Sequence, residues 1–378
     1  MIRWNYRAPG LSLIQVVPRC VTEPNGVANY ALALARALRA HGINTIFLSC
    51  TPSVAEAQGE WKSISLPKRQ AQCLVDTIRS LASETEVAAV LLHFSGYGYE
   101  KRGVPVWLVQ GLRVWRRQTR RAPLLTIFHE LYATGRPWQS SYWLSPVQKL
   151  IACSILNMSS EVITPTTLFR RRLLYWNGDA HVTCAPVFSN IGEPGCGLPP
   201  GARGATAVVF GLAGVETRMF GLYRSEVERV VRTLEIKELI DVGPRNVPVP
   251  DTLAGVPLIS KGNLPQHEVS ELLQQARFGF VVYPLDVLGK SGAFAAYAAH
   301  GAVPVVFPDR RGSFEGLEAG EHFLDGLRLQ AGISTDLLAL IQRQLFAWYK
   351  SHSLQAQACF IQKVVWRDAI IQLNSAGC

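Results

Sequence analysis

The sequence predicts an α/β protein with two open domains, each built on a parallel β-sheet covered by helices. Three observations predict this fold class. The chain has 378 residues, more than one hydrophobic core usually serves. Short apolar runs alternate with amphipathic helical patterns along most of its length. The alternation stops at the Gly- and Pro-rich stretch PGCGLPPGAR and then begins again.

The first domain is predicted to cover residues 1–193, with a linker at 194–204. Its strands are continuous apolar runs, which is typical of parallel strands buried on both faces. The predicted strands are Leu11–Val17, Ile43–Ser49, Val87–His93 and Leu124–His129. Helical spacing of apolar residues predicts the helices Val27–His41, Leu74–Ser83 and Val106–Arg121.

The second domain is predicted to cover residues 205–353, followed by a C-terminal helix within 354–378 that packs back on the first domain. The predicted strands are Ala205–Phe210, Glu238–Val242, Pro257–Ser260, Phe278–Tyr283 and Val303–Phe307. The predicted helices are Tyr223–Leu234, Pro265–Ala276, Ser291–His300, Thr335–His352 and Leu354–Leu373. Two such domains predict a cleft between them, with ligands at the carboxyl ends of the strands.

The composition is that of a globular protein with an excess of Arg. The chain is 48% hydrophobic and 17% charged, with a net charge of +10, and only 9 of its 38 basic residues are Lys. Arg makes planar, bidentate contacts to phosphate, so the excess suits a phosphorylated ligand, an anionic membrane or nucleic acid. The alternative is that it reflects a GC-rich genome.

No metal, cofactor or export signal is expected. The eight Cys form no C-x-x-C pair, and no His cluster has a zinc spacing. Residues 1–10 lack the apolar core of a signal peptide, and no apolar run reaches the roughly 20 residues of a spanning helix. We expect a cytoplasmic protein, either free or peripheral at the inner face of the membrane.

A candidate phosphate site lies at Lys290-Ser291-Gly292, where the predicted strand Phe278–Tyr283 leads through a loop into a helix. A helix N-terminus offers unpaired N–H groups and about half a positive charge. Gly292 allows close approach of a ligand, and Lys290 adds a full charge. The alternative is an ordinary helix cap beside a solvated Lys.

The order of motifs in this half of the chain resembles GT-B glycosyltransferases, most closely the large retaining family that uses UDP- or GDP-sugars. The motifs are G-N-L, H-E-x-x-x-L-L-x-x-A, Y-P, a Gly-containing loop and A-A-H-G-A-V-P-V-V. The resemblance implies that Lys290, Ser291 and Gly292 contact the donor phosphates. It also implies that the donor lies beside Gly211, Gly243, Gly262 and Asn263.

Two features depart from that family. Leu288 and Ala296 stand where it carries two Glu, and Leu212 replaces a basic residue, which leaves Arg218 as the nearest substitute. The donor sugar is therefore held differently, or the site is weakly active.

The first half of the chain supplies candidate acceptor residues. The sequence EPNGVANYALALARAL resembles the Gly-containing loop and first helix of the same family, which makes Gly26 and Asn29 candidates. His93 and His129 end neighbouring strands, and His93 is followed by an aromatic loop with Tyr97 and Tyr99. The alternative is that these His and Tyr are packing residues.

Glu130 is the single acid among nine Lys and Arg between positions 101 and 160. His129 and Glu130 are therefore the catalytic candidates, orienting an acceptor hydroxyl or accepting its proton. The alternative is that Glu130 neutralises Arg136. The runs around both His resemble bacterial glycosyltransferases of surface-polysaccharide assembly.

The predicted function is a hexosyltransferase that moves a sugar from a UDP- or GDP-sugar to a saccharide or lipid-linked acceptor. The alternatives are a non-catalytic sugar-nucleotide-binding protein and a UDP-sugar epimerase. A basic helical face is expected either to meet an anionic membrane surface or to be simply solvated. Its residues are Arg113, Arg116, Arg117, Arg120 and Arg121. No nucleic-acid-binding motif accompanies the charge, so nucleic acid is not expected as a partner.

Overall fold

The computed structural model describes residues 11–19, 25–51, 60–119, 122–212, 214–308 and 316–375, with side chains as far as 367. Packing divides the chain into two compact units. The first unit contains Met1–Ala185 and Gln355–Cys378, and the second contains Pro186–Leu354. Among the described residues, no helix is both long and apolar enough to cross a membrane.

The first unit is a seven-stranded sheet in the order β3-β2-β1-β4-β5-β6-β7, with every pair parallel. Its strands are β1 (Leu11–Val17), β2 (Ile43–Ser49), β3 (Lys62–Ser65), β4 (Val87–Phe94), β5 (Leu124–Phe128), β6 (Glu161–Thr164) and β7 (Val182–Cys184). Its first six helices are α1 (Gly26–Ala40), α2 (Ala71–Glu84), α3 (Gly96–Tyr99), α4 (Val106–Gln118), α5 (Ser140–Met158) and α6 (Thr167–Trp176).

The local sequence explains the first strand and helix. All seven residues of β1 are buried, as their apolar run predicts. Helix α1 begins after Asn25, whose Oδ1 accepts a hydrogen bond from Ala28 N at 2.9 Å. The apolar face of α1, including Ala31, Leu34 and Leu38, is buried.

The second unit repeats this architecture, with the order β10-β11-β9-β8-β12-β13-β14. Only the short edge pair β10–β11 is antiparallel. Its strands are β8 (Gly204–Phe210), β9 (Glu238–Val242), β10 (Thr252–Leu253), β11 (Val256–Gly262), β12 (Ala276–Val282), β13 (Val303–Phe307) and β14 (Leu324–Asp325). The remaining helices are α7 (Arg224–Thr233), α8 (Gln266–Gln275), α9 (Gly292–His300), α10 (Thr335–Lys350) and α11 (Leu354–Ser375).

Each sheet has a point where the direction of strand progression reverses, between β1 and β4 in the first unit and between β8 and β12 in the second. A buried tyrosine occupies each of these reversal points. Tyr99 Oη donates to the carbonyls of Val16 and His93, both at 3.0 Å. Ligands of open α/β sheets bind outside the carboxyl ends of the strands at such points.

Tyr297 has the same role in the second unit. Its hydroxyl donates to the carbonyls of Val208 and Phe280, at 3.1 and 3.0 Å, and accepts from Phe210 N at 3.1 Å. Gly279 makes room for the ring, because a Cβ there would lie 2.4 Å from it.

The predicted linker, residues 194–204, is packed into the second unit, and the division between units falls at Ala185 rather than at residue 193. The buried guanidinium of Arg203 explains the difference. It donates to five carbonyls of the second unit, those of Cys196, Leu198, Leu273, Ala276 and His300. Helix α11 is grouped with the first unit from Gln355 onward, where Tyr30 donates to Gln357 and Arg367 to Glu161.

Candidate functional site

Three glycine-containing loops of the second unit meet at the carboxyl ends of neighbouring strands. Gly211, Gly243 and Gly262 follow or end β8, β9 and β11. Gly211 N donates to the carbonyl of Val242 at 3.2 Å, and Gly243 N donates to the carbonyl of Gly262 at 2.8 Å. The structure therefore brings together the three glycines that the sequence pointed to. The remaining loop candidate, Asn263, is exposed.

Gly243 cannot be replaced without strain. Its φ is +129°, and a Cβ would lie 2.1 Å from the carbonyl oxygen of Gly211. The loops after β8 and β9 therefore contact each other through their backbones, and this contact requires glycine at position 243.

Glu216, which sequence reasoning missed, ties two of these loops together. It is 1% exposed, and its carboxylate accepts hydrogen bonds from Gly214 N at 2.8 Å and Asn246 N at 2.9 Å. Burial opposes ionisation, but the backbone N–H donors outweigh it and lower the pKa of Glu216. An acid in a Gly-containing loop is commonly solvated, so the sequence carried no signal for this role.

A second acid–base pair lies at the end of β9. Asp241 is fully buried, and both of its carboxylate oxygens accept hydrogen bonds from Arg245. Ser260 Oγ also donates to Asp241, at 3.3 Å, from the neighbouring strand β11. This pair holds the turn Gly243-Pro244-Arg245 against the sheet. An acid within the apolar run LIDV was the available signal, because a buried charge needs a partner.

The predicted phosphate site lies at the N-terminus of α9, one strand away from the Gly211 loop. Ser291 is the N-cap of α9, and its Oγ accepts a hydrogen bond from Phe294 N at 3.2 Å. Apart from its chain neighbours and the backbone of its own helix, no atom lies within 4 Å of a Cβ built on Gly292, so there is open space beside the first residue of the helix. Lys290 is half-buried beside it, and the first turn contains no acid.

The loop before α9 is fixed on its inner side. Val187 N donates to the carbonyl of Gly289 at 2.9 Å. Leu288 and Ala296 are both completely buried, so the two positions where the family that the sequence resembles carries Glu are core positions here. An ionised carboxylate at either position would be desolvated without a partner.

Arg218 lies farther along the loop after β8, in the turn of π-helix Thr217–Leu222, and is half-buried. Its backbone N donates to the carbonyl of Gly214 at 3.3 Å, which anchors the turn to the Gly211 loop.

In the first unit, His93 and His129 meet at the carboxyl ends of β4 and β5. His93 Nδ1 lies 3.1 Å from His129 Nε2, and His93 Nε2 lies 2.7 Å from Gln15 Oε1. The ring of Tyr30, on α1, packs edge-on against both imidazoles, at centroid distances of 5.9 and 5.1 Å. A polar residue inside the apolar strand LSLIQVV was the signal that could have identified Gln15.

The hydrogen bonds set the tautomers of the two imidazoles. Gln15 Oε1 accepts, so His93 carries its proton on Nε2, and neutral His93 then accepts at Nδ1 from His129 Nε2–H. The basic lone pair of neutral His129 is therefore on Nδ1. Burial, and secondarily the proximity of His129, hold the pKa of His93 well below its usual value.

Glu130 is exposed, and its carboxylate accepts a hydrogen bond from Ser95 Oγ at 2.9 Å. Arg136 instead lies over the ring of Trp138, at 5.4 Å from its centroid. Within the part of the chain that the structure describes, no ion pair joins Glu130 to Arg136.

The other acceptor candidates fall into two groups. Tyr97 is 43% exposed, Gly26 is exposed and Asn29 is half-buried on the first turn of α1, so each is accessible to a ligand. Tyr99 is fully buried with its hydroxyl bonded to two carbonyls, so it supports the strand ends and does not contact a ligand. The aromatic spacing in the sequence did not distinguish Tyr97 from Tyr99.

The basic face of α4 carries one exposed large apolar residue, Val106, which is 46% exposed. The apolar side of the helix, Leu108, Leu112 and Trp115, is buried in the first unit. Arg113 and Arg117 are exposed, whereas Arg116 donates to the carbonyl of Ala122 at 3.0 Å. Arg120 and Arg121 lie outside the described residues. Across the described ranges, no group of three His, Cys, Asp or Glu is arranged to hold a metal ion.

Solved structures of the same architecture identify the fold. An alpha-glucosyltransferase in complex with UDP and a 13-mer DNA matches with a TM-score of 0.58 at 11% identity, over 94% of this chain and 99% of its own. OtsA in its apo form matches with a TM-score of 0.59 at 11% identity, over 93% and 98%. A protein described as a UDP-N-acetylglucosamine 2-epimerase from Listeria monocytogenes matches with a TM-score of 0.51 at 15% identity, over 92% and 91%.

The chain has the GT-B fold. This confirms the fold class that the sequence predicted, and at these identities the similarity shows the fold alone. No family model matches the sequence. No curated protein matches it either.

Proposed function

We propose that this GT-B protein is a glycosyltransferase that takes its sugar from a nucleotide-diphosphate sugar. The observation that carries the proposal is the open N-terminus of α9, where Gly292 leaves free space beside Lys290 at the reversal point of the second sheet. Backbone N–H groups, about half a positive charge from the helix and one full cation meet there. A diphosphate has the charge and the oxygen acceptors for such a site.

The chemistry of transfer needs stabilisation at this point. Glycosyl transfer passes through an oxocarbenium-like state, as glycoside hydrolysis does, and the leaving group is a nucleoside diphosphate. Negative charge develops on its oxygens as the bond breaks, and preorganised donors lower that barrier. We assign this role to Lys290 and the first turn of α9, with Ser291 fixing the turn as its cap and Arg218 as a further cation.

In the first unit, we assign the binding and activation of the acceptor hydroxyl to His129 and Glu130. His129 is half-exposed at the end of the hydrogen-bond chain from Gln15, and an imidazole in that position suits a proton acceptor. Glu130 is exposed and anchored by Ser95, and it suits a hydrogen-bond acceptor for a sugar hydroxyl.

The donor is proposed to be a UDP-sugar in the first place and a GDP-sugar in the second. UDP or UDP-glucose is bound in several of the similar structures. A saccharide or lipid-linked acceptor in surface-polysaccharide synthesis follows from the sequence resemblance. Some similar GT-B structures also contain DNA, which weighs against leaving nucleic acid out, so it joins the acceptor classes to be assayed.

An epimerase is the second candidate function, because a similar structure is described as a UDP-N-acetylglucosamine 2-epimerase. Epimerisation converts the free sugar nucleotide and needs no acceptor. It is therefore separable from transfer by its product.

The test of the site compares two lysines of the second unit. Lys290→Ala removes the cation at the carboxyl edge of the sheet, and Lys237→Ala removes an exposed cation at the amino end of β9. Calorimetric titration with UDP is expected to give at least about tenfold weaker binding for Lys290→Ala, the loss of a charge-assisted contact. Lys237→Ala is expected to bind as the wild type does. Equal affinities for all three proteins would show that the phosphate site is misplaced.

A further inference from the structure

Helix α5 has two apolar faces, and only one of them is covered by its own unit. The inner face, including Ile151, Ile155 and Leu156, is buried. The outer face carries Trp143, Val147 and Leu150 at spacings of four and three residues, which places them on one side of the helix. These three are 71%, 42% and 66% exposed.

Aromatic side chains extend this outer surface at the start of the helix. Trp138 is 74% exposed and Tyr142 is 45% exposed, with the Tyr142 ring 5.4 Å from that of Trp143. Trp143 Nε1 donates to the carbonyl of Pro137 at 2.9 Å, which fixes the exposed ring. We call Trp138, Tyr142, Trp143, Val147 and Leu150 the α5 face. A contiguous exposed apolar patch of this kind marks an interaction surface.

Three cations on α5 and on the segments next to it in sequence stack on aromatic rings. Arg136 lies 5.4 Å from the ring of Trp138, and Lys149 Nζ lies 5.4 Å from the ring of Trp176. Arg172 lies 5.5 Å from the ring of Tyr132, which in turn lies 5.8 Å from Trp176. In each pair, the cationic group stays at the surface while the aliphatic part of the Lys or Arg side chain packs near the ring.

This region has almost no acid to balance the charge. Between Lys101 and Gly178 the sequence has twelve Lys or Arg and two acids, Glu130 and Glu161. Glu161 is 6% exposed and is paired with Arg367 at 3.1 Å, and Glu130 accepts a hydrogen bond from Ser95. The α5 face is therefore apolar at its centre and cationic at its margin.

We propose that the α5 face docks on an anionic phospholipid surface. Trp and Tyr favour the headgroup level of a bilayer, while Lys and Arg flanking them bind anionic lipids. Val147 and Leu150 favour lipid over nucleic acid, because aliphatic side chains suit acyl chains and offer no platform for stacking bases. Helix α4 has exposed Arg, but its only exposed large apolar residue is Val106, so it lacks the exposed aromatic rings and Leu that α5 presents.

Vesicle co-sedimentation of the whole protein tests this proposal, using phosphatidylcholine with and without phosphatidylglycerol. The wild type is expected to bind only the anionic vesicles, and added salt is expected to weaken the binding. The double variant Trp143→Ala, Leu150→Ala is expected to bind at least about tenfold more weakly. All these side chains are exposed, and thermal unfolding of each variant verifies its fold.

Matched controls separate the α5 face from the net charge. Arg136→Ala with Lys149→Ala is expected to weaken binding about 30-fold, the effect of two cations at an anionic surface. Arg113→Ala with Arg117→Ala removes the same charge from α4 and is expected to change binding less than about threefold. Leu222→Ala, in the second unit and 73% exposed, is expected to have no effect.

Three results would overturn the proposal. The wild type could fail to bind anionic vesicles, or the α4 and α5 charge variants could lose vesicle binding equally. The third is that the protein binds a single-stranded oligonucleotide but not vesicles. The assay contains no sugar nucleotide, so its result does not depend on the proposed transfer reaction. Vesicle binding without transfer would leave this inference standing while the proposed function failed.

Discussion

At the residue scale, the hydrogen-bond chain Gln15–His93–His129 links a buried strand to a half-exposed imidazole. The first two members are completely buried, so the chain is set by the core of the unit and not by solvent. Its polarity fixes Nδ1 as the basic atom of His129. This arrangement depends on His93 staying neutral, because a second proton on His93 would leave two donors facing each other.

The lowered pKa of His93 predicts a pH dependence of stability. Below about pH 6.5 the unfolded chain binds a proton that folded His93 does not, so stability falls by up to about 1.4 kcal/mol per pH unit. His93→Gln removes this loss. Urea unfolding at pH 7 and pH 5 is expected to show that the advantage of the wild type over His93→Gln shrinks at pH 5.

The control for this prediction is His267→Gln, at an exposed position of α8. His300 and His352, whose pKa values burial lowers to about 4, affect all these proteins equally. If the free energies of unfolding of the wild type and His93→Gln differed by the same amount at both pH values, burial would not lower the pKa of His93 as described.

Glu216 gives a second prediction at this scale. Its folded pKa is lowered, so its contribution is present above the unfolded value of about 4.3 and is lost as pH falls through the folded pKa. Glu216→Gln keeps one of the two acceptor oxygens, and its free energy of unfolding is expected to be about 1–2 kcal/mol lower than that of the wild type at neutral pH. Thermal and urea unfolding are expected to show this loss at pH 7 and its disappearance in acid. Glu271→Gln, an exposed matched change, is expected to be neutral, and a loss equal to that of Glu216→Gln would refute the loop tie.

At the scale of single elements, two helices begin with a glycine in open space. Gly26 is the first residue of α1 and Gly292 the first of α9, and at neither position does a built Cβ come within 4 Å of any atom beyond the chain neighbours and the backbone of the same helix. Local packing therefore does not require glycine at either position. What differs is the ligand that each position is proposed to meet.

Replacing each glycine by alanine tests this difference. Neither variant is expected to lose stability, because no clash is created and alanine is the better helix former. Gly292→Ala is expected to weaken UDP binding by about tenfold or more, because the added methyl group occupies the space of the diphosphate. Gly26→Ala is expected to bind UDP normally. Wild-type UDP affinity in Gly292→Ala would show that the ligand does not approach the first turn of α9.

The elements that the sequence predicted are those with strong periodicity. Leu11–Val17, Ile43–Ser49, Glu238–Val242 and Val303–Phe307 were predicted with the bounds they have. The short strands β3, β6, β7, β10 and β14 were missed, because two to four residues carry too little pattern. Helix α5 was missed because it is apolar on two faces and contains Pro146, which breaks the helical pattern.

At the scale of the whole molecule, the two units share the same sheet architecture. The first strand of each unit lies beside a later strand, β1 beside β4 and β8 beside β12, and a buried tyrosine bonds each pair at the reversal point. The sequence predicted the repeated α/β pattern, since it follows from alternating apolar runs. It did not predict Tyr99 or Tyr297 in these positions, because their hydroxyls bond backbone carbonyls distant in sequence.

The candidate sites were predictable to a similar degree. Strand-end glycines and histidines were found, because parallel strands bring their carboxyl ends to one edge. Gln15, Tyr30, Glu216 and the Asp241–Arg245 pair were missed, since each acts through a partner that only the fold supplies. The roles of His129, Glu130 and Lys290 stay predictions.

Turnover of sugar nucleotides by the whole protein tests the central claim most directly. The protein is incubated with UDP- and GDP-sugars, with and without saccharide, lipid-linked and nucleic-acid acceptors, and the products are separated by chromatography. We expect release of the nucleoside diphosphate with the sugar joined to an acceptor, and loss of this activity in Lys290→Ala but not in Lys237→Ala. An epimerised sugar nucleotide, or tight binding of the donor with no product under any condition, would contradict the assignment as a glycosyltransferase.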